Sequence, residues 1–195
     1  IKHWLTDNWQ VRGALWRGLS RPGFKQTAPI TEYDVDTSGD TSGSIGNPGL
    51  KPYEADNFDF SLEYYGQGMA YLAVGYFHKS IANAIYPTYQ RNGTFNGLIF
   101  NDGVETWINS EDSTIDGVEL SAQYGWDNGL YVATNFTWTD SESTFKFEDE
   151  EEFTAPFRKL ADKAANVNFG YNKGSWDIRV AGNYRSDYLD WLADE

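Results

Sequence analysis

The 195-residue chain has no cysteine, six prolines and one methionine, and nowhere does it hold the run of about 18 apolar residues that a membrane-spanning helix needs. Lack of cysteine excludes a disulfide framework, a thiolate metal site and a cysteine nucleophile, and leaves the compartment open. Positive charge is also scarce. With 15 Lys and Arg against 29 Asp and Glu, the net charge of −14 has the wrong sign for tracking phosphates, so no nucleic acid is expected as a partner. The opening residues, IKHWLTDNWQ, have neither an initiator methionine nor a charged-then-apolar leader, so the natural start is expected elsewhere. The length suits one domain or a piece of a larger one.

What the chain has in surplus is aromatic residues, 17% of the total, with 8 Trp and 13 Tyr. Period-two alternation predicts seven strands, roughly 8–18, 56–65, 69–79, 114–126, 129–139, 164–172 and 175–186. Each has one apolar parity, such as Phe58, Phe60, Leu62 and Tyr64, or Trp176, Ile178, Val180 and Tyr184. The opposite parity is polar or small. Alternation of this kind fits a soluble sandwich as well as a transmembrane barrel, whose strands meet lipid only at every second residue and so keep a polar average, here a mean hydropathy of −0.60.

The connections favour the barrel. GQG at 66–68, DN before Gly129 and NKG at 172–174 are tight-turn sequences, while the links 19–55, 80–113 and 140–163 are long. Loops beyond about 15 residues are uncommon in compact soluble domains. Strict alternation of short and long matches periplasmic turns and extracellular loops. Aromatics on the apolar parity fall at both strand ends: Tyr64, Trp126, Tyr171 and Trp176 by the short turns, and Tyr76, Trp138 and Tyr184 at the far ends. The eight-residue step from Trp176 to Tyr184 covers roughly 26 Å of strand, or about 20 Å of height at a tilt near 40°, close to a lipid band with a girdle at each edge.

Three ordered motifs carry a resemblance. NPGLKPYEADNFDFSLEYY followed by GMAYLAVGYFHKSIANAIY resembles the C-terminal barrel half of TonB-dependent outer-membrane receptors. VRGALWRGLSRPGFKQTAP, with Ser20, Arg21 and Pro22, resembles the strand and loop start before it, and STIDGVELSAQYGW resembles the later strand with its Gly117–Leu120 run. The resemblance implies an all-β fold: an antiparallel transmembrane β-barrel segment, about seven strands of a 22-stranded barrel, near strands 13 to 19, with the plug domain, its energy-coupling box and the final strands absent. Residues 1–195 are then expected to be a partial barrel domain that would not stand alone as a stable membrane protein. Implied partners are outer-membrane lipid and lipopolysaccharide, the protein's own plug, the TonB–ExbB–ExbD complex and a small-molecule or oligosaccharide ligand. The implied location is the outer membrane of a Gram-negative bacterium. Wording around Asn-Pro-x-Leu-Lys-Pro leans toward carbohydrate-scavenging members, placing oligosaccharide ahead of iron siderophore.

On this reading Arg12, Asp59, Glu63, Glu119, Gln123, Arg179 and Arg185 face the lumen, and the loop aromatics Tyr33, Tyr86, Tyr89, Phe95 and Trp107 are candidates for the ligand. Further loop aromatics, Tyr53, Phe100, Phe145, Phe147 and Phe153, are candidates for packing as much as for binding. DVDTSGD at 34–40 has the start of a calcium loop, but Ile45 stands where a bidentate Glu is needed, so no metal is expected. EDEEE at 148–152 reads as a solvated acidic loop, with cation bridging to lipopolysaccharide as an option. Carboxylate pairs such as Asp34 with Asp36, or Glu111 with Asp112, are too common here to signal a glycosidase. His3 and His78 lack zinc spacing, NGT at 92–94 is a chance sequon, and neither an enzyme activity nor a cofactor is expected. The competing reading is a soluble secreted β-sandwich that binds carbohydrate.

Overall fold

The computed structural model describes residues 1–29, 31–90, 93–95, 97–145 and 152–190. Strands β1 (Lys2–Trp4) and β2 (Trp9–Ser20) form a hairpin, after which one helical turn, α1 (Phe24–Thr27), leads to β3 (Thr31–Val35) and β4 (Thr41–Ile45). A second hairpin, β5 (Tyr53–Tyr65) and β6 (Tyr71–Ala82), precedes four short strands: β7 (Ile85–Gln90), β8 (Gly93–Phe95), β9 (Leu98–Phe100) and β10 (Gly103–Asn109). The chain continues through β11 (Asp112–Gly125), β12 (Leu130–Phe145), β13 (Phe153–Ala155), β14 (Lys163–Lys173) and β15 (Trp176–Arg185).

The order β1-β2-β5-β6-β11-β12-β14-β15 makes one open sheet, antiparallel at every step, with β13 beside the outer end of β12. All seven predicted strands are present. An eighth, β1, was missed because three residues are too few for alternation to register. Its turn is short, like the other turns at that end of the sheet. At Gly174 and Ser175 two residues join β14 to β15, with Gly174 at φ +63, a conformation that costs glycine nothing.

Register assigns every side chain to a face, because neighbours across a ladder point the same way. Val11, Leu62, Val74, Leu120, Phe136, Ala165 and Tyr184 form one such row. Around it lies a continuous apolar face that no core covers: Leu15 is 81% exposed, Val180 65% and Phe169 57%. Tyr64, Tyr76, Trp138, Tyr171, Trp176 and Tyr184 all sit on it, and Trp126 joins it through an edge contact with Tyr124, ring centroids 4.8 Å apart. Towards the long connections the same face turns charged. Arg17 grips Asp56 with two hydrogen bonds of 2.6 Å, and Asp116 accepts from the Tyr76 hydroxyl at 2.5 Å with His78 Nδ1 at 2.9 Å.

The strands run further in this outer direction than alternation predicts, β12 to Phe145 rather than residue 139. The cause is a phase change. Past the charged rim the inward parity becomes apolar, and Ala55, Ile81, Ile115 and Phe145 meet Ala84 and Tyr86 in a buried cluster. The long connections are also more structured than loops: β3-β4-β10-β7 form a second sheet, with β4 and β10 parallel, over a small core of Ile45, Phe100 and Val104.

Two inward glycines carry aromatic rings. A Cβ on Gly117 would lie 2.2 Å from Phe77 Cζ, and one on Gly170 would lie 2.0 Å from Tyr131 Cζ. Gly117→Ala must push the Phe77 ring aside and is expected to cost about 1–2 kcal/mol. The check is the temperature at which the folded, fast-migrating gel band is lost; an unchanged temperature would mean that the ring shifts freely.

Candidate functional site: the inner wall and the outer mouth

Arg12, Asp59, Glu63, Glu119, Gln123, Arg179 and Arg185 all lie on the face opposite the apolar one, as the register requires. Arg12, Asp59, Glu63 and Glu119 line a common concavity of about 730 Å³ together with Phe77 and Lys79. The other three stand apart. Gln123 pairs with Tyr71 near the turns, Arg179 holds Asp177 through bonds of 3.1 and 2.9 Å, and the Arg185 guanidinium lies 4.3 Å from the ring of Tyr188.

Glu63 is the hub of the wall. Its Oε2 accepts from Gln10 Nε2 at 2.8 Å and from the Tyr65 hydroxyl at 2.6 Å; its Oε1 accepts from Ser61 Oγ at 2.9 Å and faces Arg12 Nε at 3.3 Å. Glu63 is only 6% exposed, so these donors replace its lost hydration. Gln10, wholly buried, keeps its Oε1 without a donor. Beside the hub, Trp16 Nε1 donates to Asp59 Oδ2 at 3.0 Å. Gln10, Trp16 and Lys79 escaped the sequence reading, although their parity marks them.

At the outer mouth the predicted aromatics divide. Tyr86 is 2% exposed, with its ring edge-on to Phe145 at 4.8 Å and to Phe157 at 5.9 Å, and its hydroxyl 2.9 Å from Ser143 Oγ. Burial pushes its phenol above the usual tyrosine range. Trp107 is buried too. Both therefore sit in packed surroundings with little of either ring exposed. Tyr33 and Tyr89 are exposed on one side, and Tyr33 and Phe95 rest edge-on against buried Phe100 at 5.3 and 6.3 Å. Tyr89 donates to the Asp102 carbonyl and covers Gly103, which sits at φ +109. Phe145 stacks on Phe153 at 5.3 Å.

The acidic DVDTSGD segment is a hairpin turn. Asp36 Oδ1 accepts from the backbone of Ser38 at 2.8 Å and of Asp40 at 2.9 Å, an Asx arrangement that occupies the carboxylate with its own loop. Among the described residues, no group of three or more His, Asp or Glu could hold a metal ion. Phe147, Asn92 of the sequon and residues 148–151 of the acidic run lie outside the described residues.

Residues 3–194 match the family described as TonB dependent receptor-like, beta-barrel. The chain belongs to the TonB-dependent receptor β-barrel family, and its fold is a segment of an antiparallel transmembrane barrel. Solved structures with the same fold include the siderophore receptor PirA of Acinetobacter baumannii, 16% identical with a TM-score of 0.64, covering 92% of this chain and 27% of that one. Another is the hemophore receptor HasR of Serratia marcescens, solved with its hemophore HasA and heme, 14% identical at TM-score 0.66, covering 94% and 30%. A third is the ferric enterobactin receptor PfeA of Pseudomonas aeruginosa, 17% identical at TM-score 0.54, also covering 94% and 30%. The chain thus spans less than a third of the length of these three relatives. No curated protein matches it.

Proposed function

We propose that this chain is part of the barrel wall of a receptor in the Gram-negative outer membrane that captures a scarce nutrient at its outer mouth and imports it with energy from the TonB–ExbB–ExbD complex. The observation that carries this reading is the pairing of family membership over residues 3–194 with a sheet that is apolar on one face and charged on the concave other. On this proposal the apolar face meets lipid, with Tyr64, Tyr76, Trp126, Trp138, Tyr171, Trp176 and Tyr184 at its edges and lipopolysaccharide against the charged rim. The wall around Glu63 faces the plug. Tyr33, Tyr89 and Phe95 are the loop aromatics open to a ligand. The protein acts by binding and import, not as an enzyme.

Iron siderophore now stands ahead of oligosaccharide. The similar structures are named for siderophores, ferric enterobactin and heme, and cations gather at this chain's outer mouth. The test is depletion of labelled iron(III) chelates from medium by cells with and without the gene. Import is expected to stop on deletion and equally on collapse of the proton motive force. Accumulation that continues without that force would sink the transport reading.

A further inference from the structure

The inner face of the main sheet changes character along its arc. On β2, β5 and β6 it carries Arg12, Asp59, Glu63 and Lys79, with the rings of Trp16 and Phe77 among them, and Glu119 on β11 marks the border. Beyond that border the charge stops. On β12 and β14 the inward positions from Ala133 to Thr137 and from Ala164 to Asn168 hold only Ala, Thr and Asn. On β15, Arg179 and Arg185 bracket an uncharged middle of Ala181 and Asn183, and Arg179 is held by Asp177.

Four of these polar residues lie level. Register sets Ser121, Asn135, Asn166 and Asn183 side by side on four successive strands. At about 4.8 Å per step the row runs about 14 Å around the wall. Ser121 Oγ donates to Asn135 Oδ1 at 2.9 Å, and the three asparagines are exposed on the inner face. Each amide offers a donor and an acceptor together.

The two halves suit opposite tasks. A domain held against a wall needs fixed contacts, and the charged half supplies them, with Glu63 serving four donors and Asp59 tied to Trp16. A solute that moves needs contacts that form and break. A charge on its path would trap one sign and repel the other, whereas amides and hydroxyls exchange partners with water at small net cost. The small side chains beside the row keep that half of the wall low.

We propose that the plug is seated against the half formed by β2, β5 and β6, and that the ligand crosses the lumen along β12, β14 and β15, where a water-filled gap runs beside the plug. The inference rests on the uptake reading and adds the route to it.

The test uses the full-length receptor, plug included, with one cysteine placed on either half and the parent receptor as blank. Gly75 lies in the charged concavity, where an added Cβ would meet nothing closer than 3.6 Å, and Asn166 lies one row away on the other half. In the resting receptor in detergent, a neutral maleimide is expected to label Asn166→Cys about tenfold faster than Gly75→Cys, because water reaches the first thiol and the plug covers the second. Asn166→Trp and Asn183→Trp should leave binding of radiolabelled iron(III) chelates to de-energised cells unchanged and cut import by energised cells about tenfold, since a ring then stands across the route. Gel mobility of the folded band verifies each variant. Labelling of Gly75→Cys as fast as that of Asn166→Cys overturns the route, and so does import through Asn166→Trp at the parent rate. Fast labelling of Asn166→Cys in a receptor whose energised cells import neither chelate nor oligosaccharide leaves the gap standing and overturns the uptake reading alone.

Discussion

Phe169→Arg is expected to cost the barrel about 2–4 kcal/mol, the penalty for a cation placed against the lipid core. Asn168→Arg, one residue earlier on the same strand, should stay within about 0.5 kcal/mol, as for a surface substitution away from any special feature. The contrast follows from register. Phe169 pairs with Val132 and Val180 on the apolar face, whereas Asn168 pairs with Ala133 and Ala181 on the other. In water the result would reverse, since Phe169 is 57% exposed and a charge there would be solvated at once. Folding into vesicles followed by urea titration reads the difference. Equal stability of the two variants would remove lipid as the solvent of that face and, with it, the membrane placement.

Glu63→Ala is expected to be nearly as damaging, about 2–4 kcal/mol. The carboxylate serves four donors, and its removal leaves Gln10, which has no access to water, without the acceptor for its Nε2. The Arg12 share is small because that side chain is 51% exposed and regains water. Glu63→Gln keeps the shape but not the chemistry. Whichever oxygen is replaced by NH2, it faces two donors, either Gln10 with Tyr65 or Ser61 with Arg12. A loss of about 1–2 kcal/mol is expected. The same urea titration checks both variants; a Glu63→Gln barrel as stable as the parent would mean that the hub is held by packing and not by its hydrogen bonds.

Within the apolar zone of the strands the sequence was read with little error, because apolar surroundings on one side and polar contacts on the other impose strict period-two patterning. Leu120, Phe136 and Val180 could take no other face once Leu130, Val132 and Trp176 were placed. The turns were legible for a similar local reason. GQG, DN and NKG are short enough for backbone preference to decide them. The candidate site was legible only in part. Parity placed Arg12, Asp59, Glu63 and Glu119 on one wall, yet nothing local joins Gln10 to Glu63, 53 residues away.

Beyond the charged rim the tertiary structure decided the outcome. There the hydrophobic phase of β5, β6, β11 and β12 inverts, and Ala55, Ile81, Ile115 and Phe145 turn inward against Tyr86 while Asp56, His78 and Asp116 turn outward. A reading that carries one phase along a strand ends at this inversion, as it did at residues 79 and 139. The parallel pairing of Ser42–Ser44 with Gly103–Glu105, the burial of Trp107 and the meeting of Lys159 with Asp190 also depend on segments far apart in the chain. Alternating residues determined by themselves which face is apolar and which is polar, since each answers only to the surroundings on its own side. Where loops fold over the mouth, each residue answers to a distant partner, and only the assembled chain shows which partner that is.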